Sequence, residues 1–175
     1  MSISKYSLEV IDQSDLILLR DFSLNFLQTW PYCVKYKDLL LAITLCQGAA
    51  NHYAVSQGYA KRYFNPEKAG VKDFDIWFFF VWDENWIFNP RWRMSRDLGV
   101  TKFGRYPDEI DYKGRRVDFL GRSIPLKNMD IEESIKDWLL NGSGSTPKYL
   151  SQKAVVGLAP EKILGRIVWI NPELT

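Results

Sequence analysis

At 175 residues, 46% of them hydrophobic and 15% aromatic, with a formal net charge of +2, the chain is long enough for one domain with a sizeable core and is no polycation. No apolar run approaches the roughly 20 residues that a bilayer-spanning helix needs. Cys33 and Cys46 are the only cysteines and stand in no metal spacing, so two buried or incidental thiols in a reducing cytoplasm are expected, with a disulfide an unsupported alternative. The start, Met-Ser-Ile-Ser-Lys-Tyr-Ser-Leu-Glu, lacks the basic residues and apolar block of a secretory signal, so none is expected.

Ser14 to Trp30 carries Leu16, Leu18, Leu19, Phe22, Phe26 and Leu27 at spacings that suit one helix face. Ser14 is the expected cap and Pro31 the stop. The apolar segment Tyr36 to Gln47 fits helix or strand by periodicity alone; a strand is expected over Leu40 to Cys46 because Gln47-Gly48-Ala49-Ala50 reads as a turn. A second helix is then expected to begin near Ala49. Such a strand-turn-helix unit offers unpaired backbone N–H groups at the helix start, and Gly48 allows a phosphate close approach, although an ordinary tight connection uses glycine equally well. His52, the single histidine, is expected to be a packing or surface residue before it is a catalyst.

Gly58 to Gly70 is polar and basic and is expected to be a loop or short helix. Next comes Gly70-Val71-Lys72-Asp73-Phe74-Asp75-Ile76-Trp77-Phe78-Phe79-Phe80, which sets two acids at the mouth of the most apolar run in the chain. In a strand Asp73 and Asp75 point the same way, about 6.6 Å apart along it. Two such acids either stand solvated at a strand entrance or bind a hard cation, for which Mg²⁺ with its oxygen ligands and substrate phosphates is the natural candidate. Beyond Asp75 the run is apolar on both faces, as in an interior strand covered on each side.

Asp83 to Pro107 reads as an irregular excursion in which Arg and Trp interleave, a pattern that grips nucleic acid or packs Arg stems against a core. From Arg91 to Arg122, nine Lys or Arg stand against five Asp or Glu, so this stretch either faces phosphates or is a solvated surface. Asp111 to Gly114 is a turn, and Arg115 to Gly121 alternates as a strand with Val117 and Phe119 on one face and Arg116, Asp118 and Leu120 on the other. Asp118 thus sits mid-strand, where a carboxylate needs a partner such as Arg116 or Arg122. Asp130 to Leu140 is a helix with an acidic first turn and a stripe of Ile131, Ile135, Trp138 and Leu139. Pro147 to Lys153 is expected to be a helical turn or two. Ala154 to Leu158 and Arg166 to Ile170 are expected as short strands, in a tail with no residue of evident chemistry.

Gly48-Ala49, Asp73-Phe74-Asp75-Ile76 and Val117-Asp118-Phe119 together resemble the signature of the nucleotidyltransferase superfamily, the DNA polymerase beta-like fold, and most resemble its small bacterial members. The resemblance covers about Leu40 to Gly121. Ala49 stands where that family usually has Ser or Gly, and the interval from Gly48 to Asp73 is longer than usual for it. The resemblance implies an α+β fold, a mixed β-sheet with helices packed on it, as one domain over 1–175 with a signature core at about 40–121 and a C-terminal extension over 130–170. It implies that Asp73, Asp75 and Asp118 hold Mg²⁺ and catalyse transfer of a nucleoside monophosphate from a nucleoside triphosphate to a hydroxyl on RNA, protein or a small molecule. Gly48 and Ala49 would cradle phosphate oxygens, and Lys72, Lys102, Arg105, Arg115 and Arg122 are the candidates to neutralise them. The alternative is an inactive domain of the same fold that binds nucleic acid or a partner protein through the Arg91 to Arg122 patch; a third possibility is a generic α+β domain whose acids are paired structurally.

Overall fold

The computed structural model describes residues 5–30, 37–85 and 93–175. Pro31, Cys33 and Arg91 lie outside them. Asp12 and Asp15 open helix α1 (Gln13–Thr29) with a reciprocal capping box, so Asp12 is the cap and Ser14 merely donates to it. Lys102 reaches both acids and ties a distant loop to this helix start. Leu16, Leu19, Phe26 and Leu27 are buried along α1, whereas Leu18, expected on the same stripe, is largely exposed.

Strand β1 (Leu40–Cys46) follows, then α2 (Gln47–Ser56), which starts at Gln47 directly after the strand, two residues before the expected Ala49. Next come β2 (Asp73–Val81), β3 (Met94–Asp97) and β4 (Arg116–Ile124). The chain continues with α3 (Ile131–Asn141), α4 (Ser145–Leu150), β5 (Ala154–Ala159) and β6 (Ile167–Ile170). Among the described residues this is an α+β fold of four α-helices and one mixed sheet in the order β3-β4-β2-β1-β5-β6. Within the segment expected to be an irregular excursion lies β3, an edge strand antiparallel to β4. The tail contributes two strands, and β5 lies inside the sheet against β1.

One pairing differs from the rest: β2 and β4 run parallel, while every other neighbouring pair is antiparallel. Strand alternation sends Phe74, Ile76, Phe78 and Phe80 of β2 and Val117 and Phe119 of β4 to one face, under α1 and α2. There Phe26 of α1 stacks on Phe119 with ring centres 4.0 Å apart, and Phe78 stacks on Phe119 at 5.7 Å. Burying each such ring contributes roughly 1.5–3 kcal/mol. Trp77 and Phe79 of β2 go to the opposite face, with Ile135 and Leu139 of α3 and Leu150 of α4. With both faces covered, β2 can be apolar almost throughout, and only its first residues are free to be polar.

Gly70, just before β2, has φ +103°, and a Cβ there would stand 2.5 Å from the carbonyl oxygen of Ser7. Only glycine allows the paired bridge between Ser7 and Val71, each donating its N–H to the other's carbonyl at 2.8 Å. The N-terminal segment is thereby sewn alongside the entrance to β2. No helix among the described residues is long and apolar enough to cross a membrane.

Candidate functional site at the entrance to the central strands

Asp73 and Asp75 sit on the face of β2 that carries Trp77, at the end where α3 and α4 no longer cover it. The parallel register sets Asp75 opposite Asp118 and Asp73 opposite Arg116, while β1 sets Cys46 opposite Asp75. Neighbouring strands are about 4.8 Å apart, so the three acids fall on adjacent strands of one sheet face. The sheet has thus brought Asp118, distant in sequence, beside the two acids of β2.

Their partners differ sharply. Asp118 is fully buried and accepts hydrogen bonds from Arg93 and Arg116, both forming ion pairs at 2.7 and 2.8 Å, and from the hydroxyl of Ser95. Burial pushes its carboxyl up, but the bonds from Arg116, Ser95 and Arg93 outweigh this and hold it below the usual range. No hydrogen bond or ion pair reaches Asp73 or Asp75 from any described residue. Burial, followed by the charge of Asp118, raises the Asp73 carboxyl. Burial, followed by the charges of Asp73 and Asp118, raises Asp75 further, against the pull of Arg93 and Lys153. Two half-buried acids that repel each other and lack counter-ions are oxygen donors suited to a hard cation that also binds substrate phosphates. Among the described residues, no three His, Cys, Asp or Glu side chains are grouped to hold a metal ion, and Asp118 is paired with two arginines.

Two clefts meet at the acid pair. One is lined by Gln47, Gly48, Ala49, Lys68, Lys72 and Lys153 as well as both acids. Among the described residues no side chain caps the start of α2, which leaves its first N–H groups for solvent or a ligand. A Cβ on Gly48 would meet nothing within 4 Å, and the space over this backbone is open. Gln47, at the junction of β1 and α2, has φ 62°, a left-handed conformation that costs a residue with a side chain of order 1 kcal/mol. Burial depresses the Lys153 ammonium, the pull of Asp75 opposes this, and the neighbouring charge of Lys68 adds to it. The Lys72 ammonium is raised by its bond to Asp108, 3.0 Å away. The second cleft leads to Trp77, Arg93, Arg122, Thr146 and Tyr149.

The candidate residues therefore separate. Asp73, Asp75, Gly48, Ala49 and Lys72 line one cleft, Arg122 lines the other, and Asp118 lies beneath its arginines. Lys102 is bound to Asp12 and Asp15, and Arg105 donates to the carbonyl of Ile110. Arg115 is buried and donates to the carbonyls of Lys5, Lys72 and Phe103, stapling three segments together. These three line neither cleft. His52 is also structural: its ring nitrogens bond the Tyr63 hydroxyl at 2.7 Å and the Glu9 carbonyl at 2.8 Å.

Lys153 lies in the tail where no residue of evident chemistry was expected; it precedes β5, and the pairing of β5 with β1 brings it near Asp75. Gln47, Lys68, Arg93 and Tyr149 were likewise not singled out from sequence. A partial signal existed for Lys68, which lies in the basic loop before β2, and for Arg93, which lies in the basic stretch Arg91 to Arg122; Gln47 and Tyr149 are placed by strand pairing and helix packing that local patterns do not report. A comparison with known proteins finds no family model that matches the chain and no curated protein similar to it.

Proposed function

We propose that the protein is a nucleotidyltransferase that moves a nucleoside monophosphate from a nucleoside triphosphate to an acceptor hydroxyl. What carries this reading is the unpartnered Asp73–Asp75 pair beside a cleft lined by Lys68, Lys72, Lys153 and the uncapped start of α2. The lysines and the N–H groups of Gly48 and Ala49 match a polyphosphate, whose charge they would bind and hold still. Asp73 and Asp75 would hold Mg²⁺, which when bound supplies electrostatic stabilisation of the triphosphate oxygens.

In the transfer, the acceptor oxygen forms a bond to the α-phosphorus as the bond from that phosphorus to its bridging oxygen breaks. Pyrophosphate leaves with the electron pair, and the hydroxyl proton passes to solvent. Lys72 and Lys153, which line the cleft, would neutralise the charge that builds on the departing group. Asp118, held by Arg93 and Arg116, would fix both guanidinium groups at the edge of the acid pair.

The occupied state of Asp118 also favours a second reading, a non-catalytic nucleotide-binding domain. Incubation with Mg²⁺ and each labelled nucleoside triphosphate separates the two. Pyrophosphate release that Asp73→Asn or Asp75→Asn lowers at least a hundredfold supports the enzyme. Binding without release supports the second reading, and release equal in wild type and variants removes catalysis by these acids.

A further inference from the structure

The cleft on the far side of the acid pair has no role in holding polyphosphate, yet it is built from unusual parts. Its size, about 440 Å³, falls within the range of small-molecule sites. It shares Gln47, Asp73 and Asp75 with the lysine-lined cleft and then diverges towards β4 and α4. Arg122 of β4 lines it, with its guanidinium 5.2 Å over the ring of Trp77 and donating to the hydroxyl of Thr146 at 2.9 Å. Arg93 and Tyr149 line it as well. The Trp77 side chain is 3% exposed, and its indole N–H is buried with no hydrogen-bond partner among the described residues. Such an orphan donor costs roughly 1–3 kcal/mol, and its resonance reports on the ring that Arg122 covers.

We infer that this second cleft seats the acceptor, and that the acceptor is a hydroxyl compound carrying a phosphate group that Arg122 and Arg93 recognise. The inference rests on the nucleotidyltransferase reading in one respect: in-line displacement puts the attacking oxygen and the leaving pyrophosphate on opposite sides of the α-phosphorus. With pyrophosphate among the lysines, the attacking hydroxyl arrives from the side of Arg122 and Trp77. Arginine's planar fork suits a phosphate, and its stacking on Trp77 holds it in place. The same two guanidinium groups disfavour a polycationic acceptor. Arg122, Trp77 and Tyr149 are on this account specificity residues, with no part in the bond changes.

The test reads the indole N–H resonance of Trp77 in ¹⁵N-labelled full-length protein, assigned by its loss in Trp77→Phe. Ribose 5-phosphate and a short RNA with a free 3′ hydroxyl represent the two sources of a phosphorylated hydroxyl, and ribose and a polycationic aminoglycoside serve as contrasts. At least one phosphorylated probe should shift the resonance, saturating at a tenfold or lower concentration than ribose or the aminoglycoside. Arg122→Gln should weaken that binding tenfold or more, and Arg122→Lys, which keeps the charge without the fork, by less. A response from ribose 5-phosphate alone identifies a small-molecule acceptor, and one from RNA alone a nucleic-acid end. No shift with either, equal shifts with ribose, or binding that survives Arg122→Gln overturns the inference. Pyrophosphate release measured beside it keeps the two ideas apart. A silent Trp77 with active release sinks only the acceptor site, whereas a responding Trp77 without release sinks only the transferase.

Discussion

Replacing Asp75 with Asn removes one charge from a pair that has no counter-ion of its own. Asp73 and Asp75 lie about 6.6 Å apart along the strand, and at an effective dielectric constant near 20 two unit charges at that distance repel by about 2.5 kcal/mol. Lys153 and Arg93 offset part of this. Asp75→Asn should therefore stabilise the metal-free protein by about 1–2 kcal/mol at pH 7, raising Tm by about 2–8 °C for a chain of this size. The sign with pH follows from the raised Asp75 carboxyl, lifted by burial and then by Asp73 and Asp118. A group that holds its proton more tightly when folded stabilises the fold as it is protonated, so the gap between wild type and variant is widest near neutrality and narrows as pH falls. Thermal melts in EDTA across pH 4–8 measure it, and repeats in millimolar Mg²⁺ should raise the wild-type Tm while leaving Asp75→Asn unmoved. A variant less stable than wild type in EDTA at pH 7 would refute the picture of an uncompensated acid pair.

Other substitutions test the frame around the site. Arg115→Leu strands the carbonyls of Lys5, Lys72 and Phe103 and should cost about 3 kcal/mol or more in urea unfolding; a cost under 1 kcal/mol would mean those bonds are dispensable. Asp97 accepts the backbone N–H groups of Gly99, Lys113 and Gly114, and although burial pushes its carboxyl up, these bonds hold it below the usual range. Its stabilising contribution is complete above the unfolded carboxylate value near 4 and is lost as pH falls through the lower folded value, so Asp97→Ala should flatten the acid limb of the stability profile. Gln47→Gly relieves a left-handed residue and should raise stability by up to about 1 kcal/mol. If the Gln47 side chain serves the clefts it lines, the same change lowers pyrophosphate release, and kinetics beside the urea curves separate the two effects.

Elements with a strong local signature were legible from sequence. Leu40–Cys46 is marked by the small residues after it, although these form the first turn of α2 and not the separate turn expected, and Asp73–Val81 announces itself by an apolar run too continuous for a surface strand. Alternation also put Asp118 on the Arg116 face, and Arg116 does hold it. The cap of α1 was misassigned because Asp12 and Ser14 both suit that position, and the reciprocal bond from Asp15 decides between them. Met94–Asp97 has four residues and no apolar alternation, so nothing local marks it as a strand; only its pairing with β4 brings Ser95 to Asp118. Lys153 stayed hidden for the same reason, because pairing across the sheet sets its neighbours.

The parallel union of β2 and β4 has a consequence for the order in which the molecule takes shape. Hairpin-like partners can meet early, but this pair must wait until the intervening excursion has been drawn closed, at an entropic cost that grows with its length. Asp118 reaches Asp75 only at that moment. A partly folded chain accordingly lacks the Asp118 charge that helps to raise both β2 carboxyls, and their full repulsion should arise only once this pairing has closed.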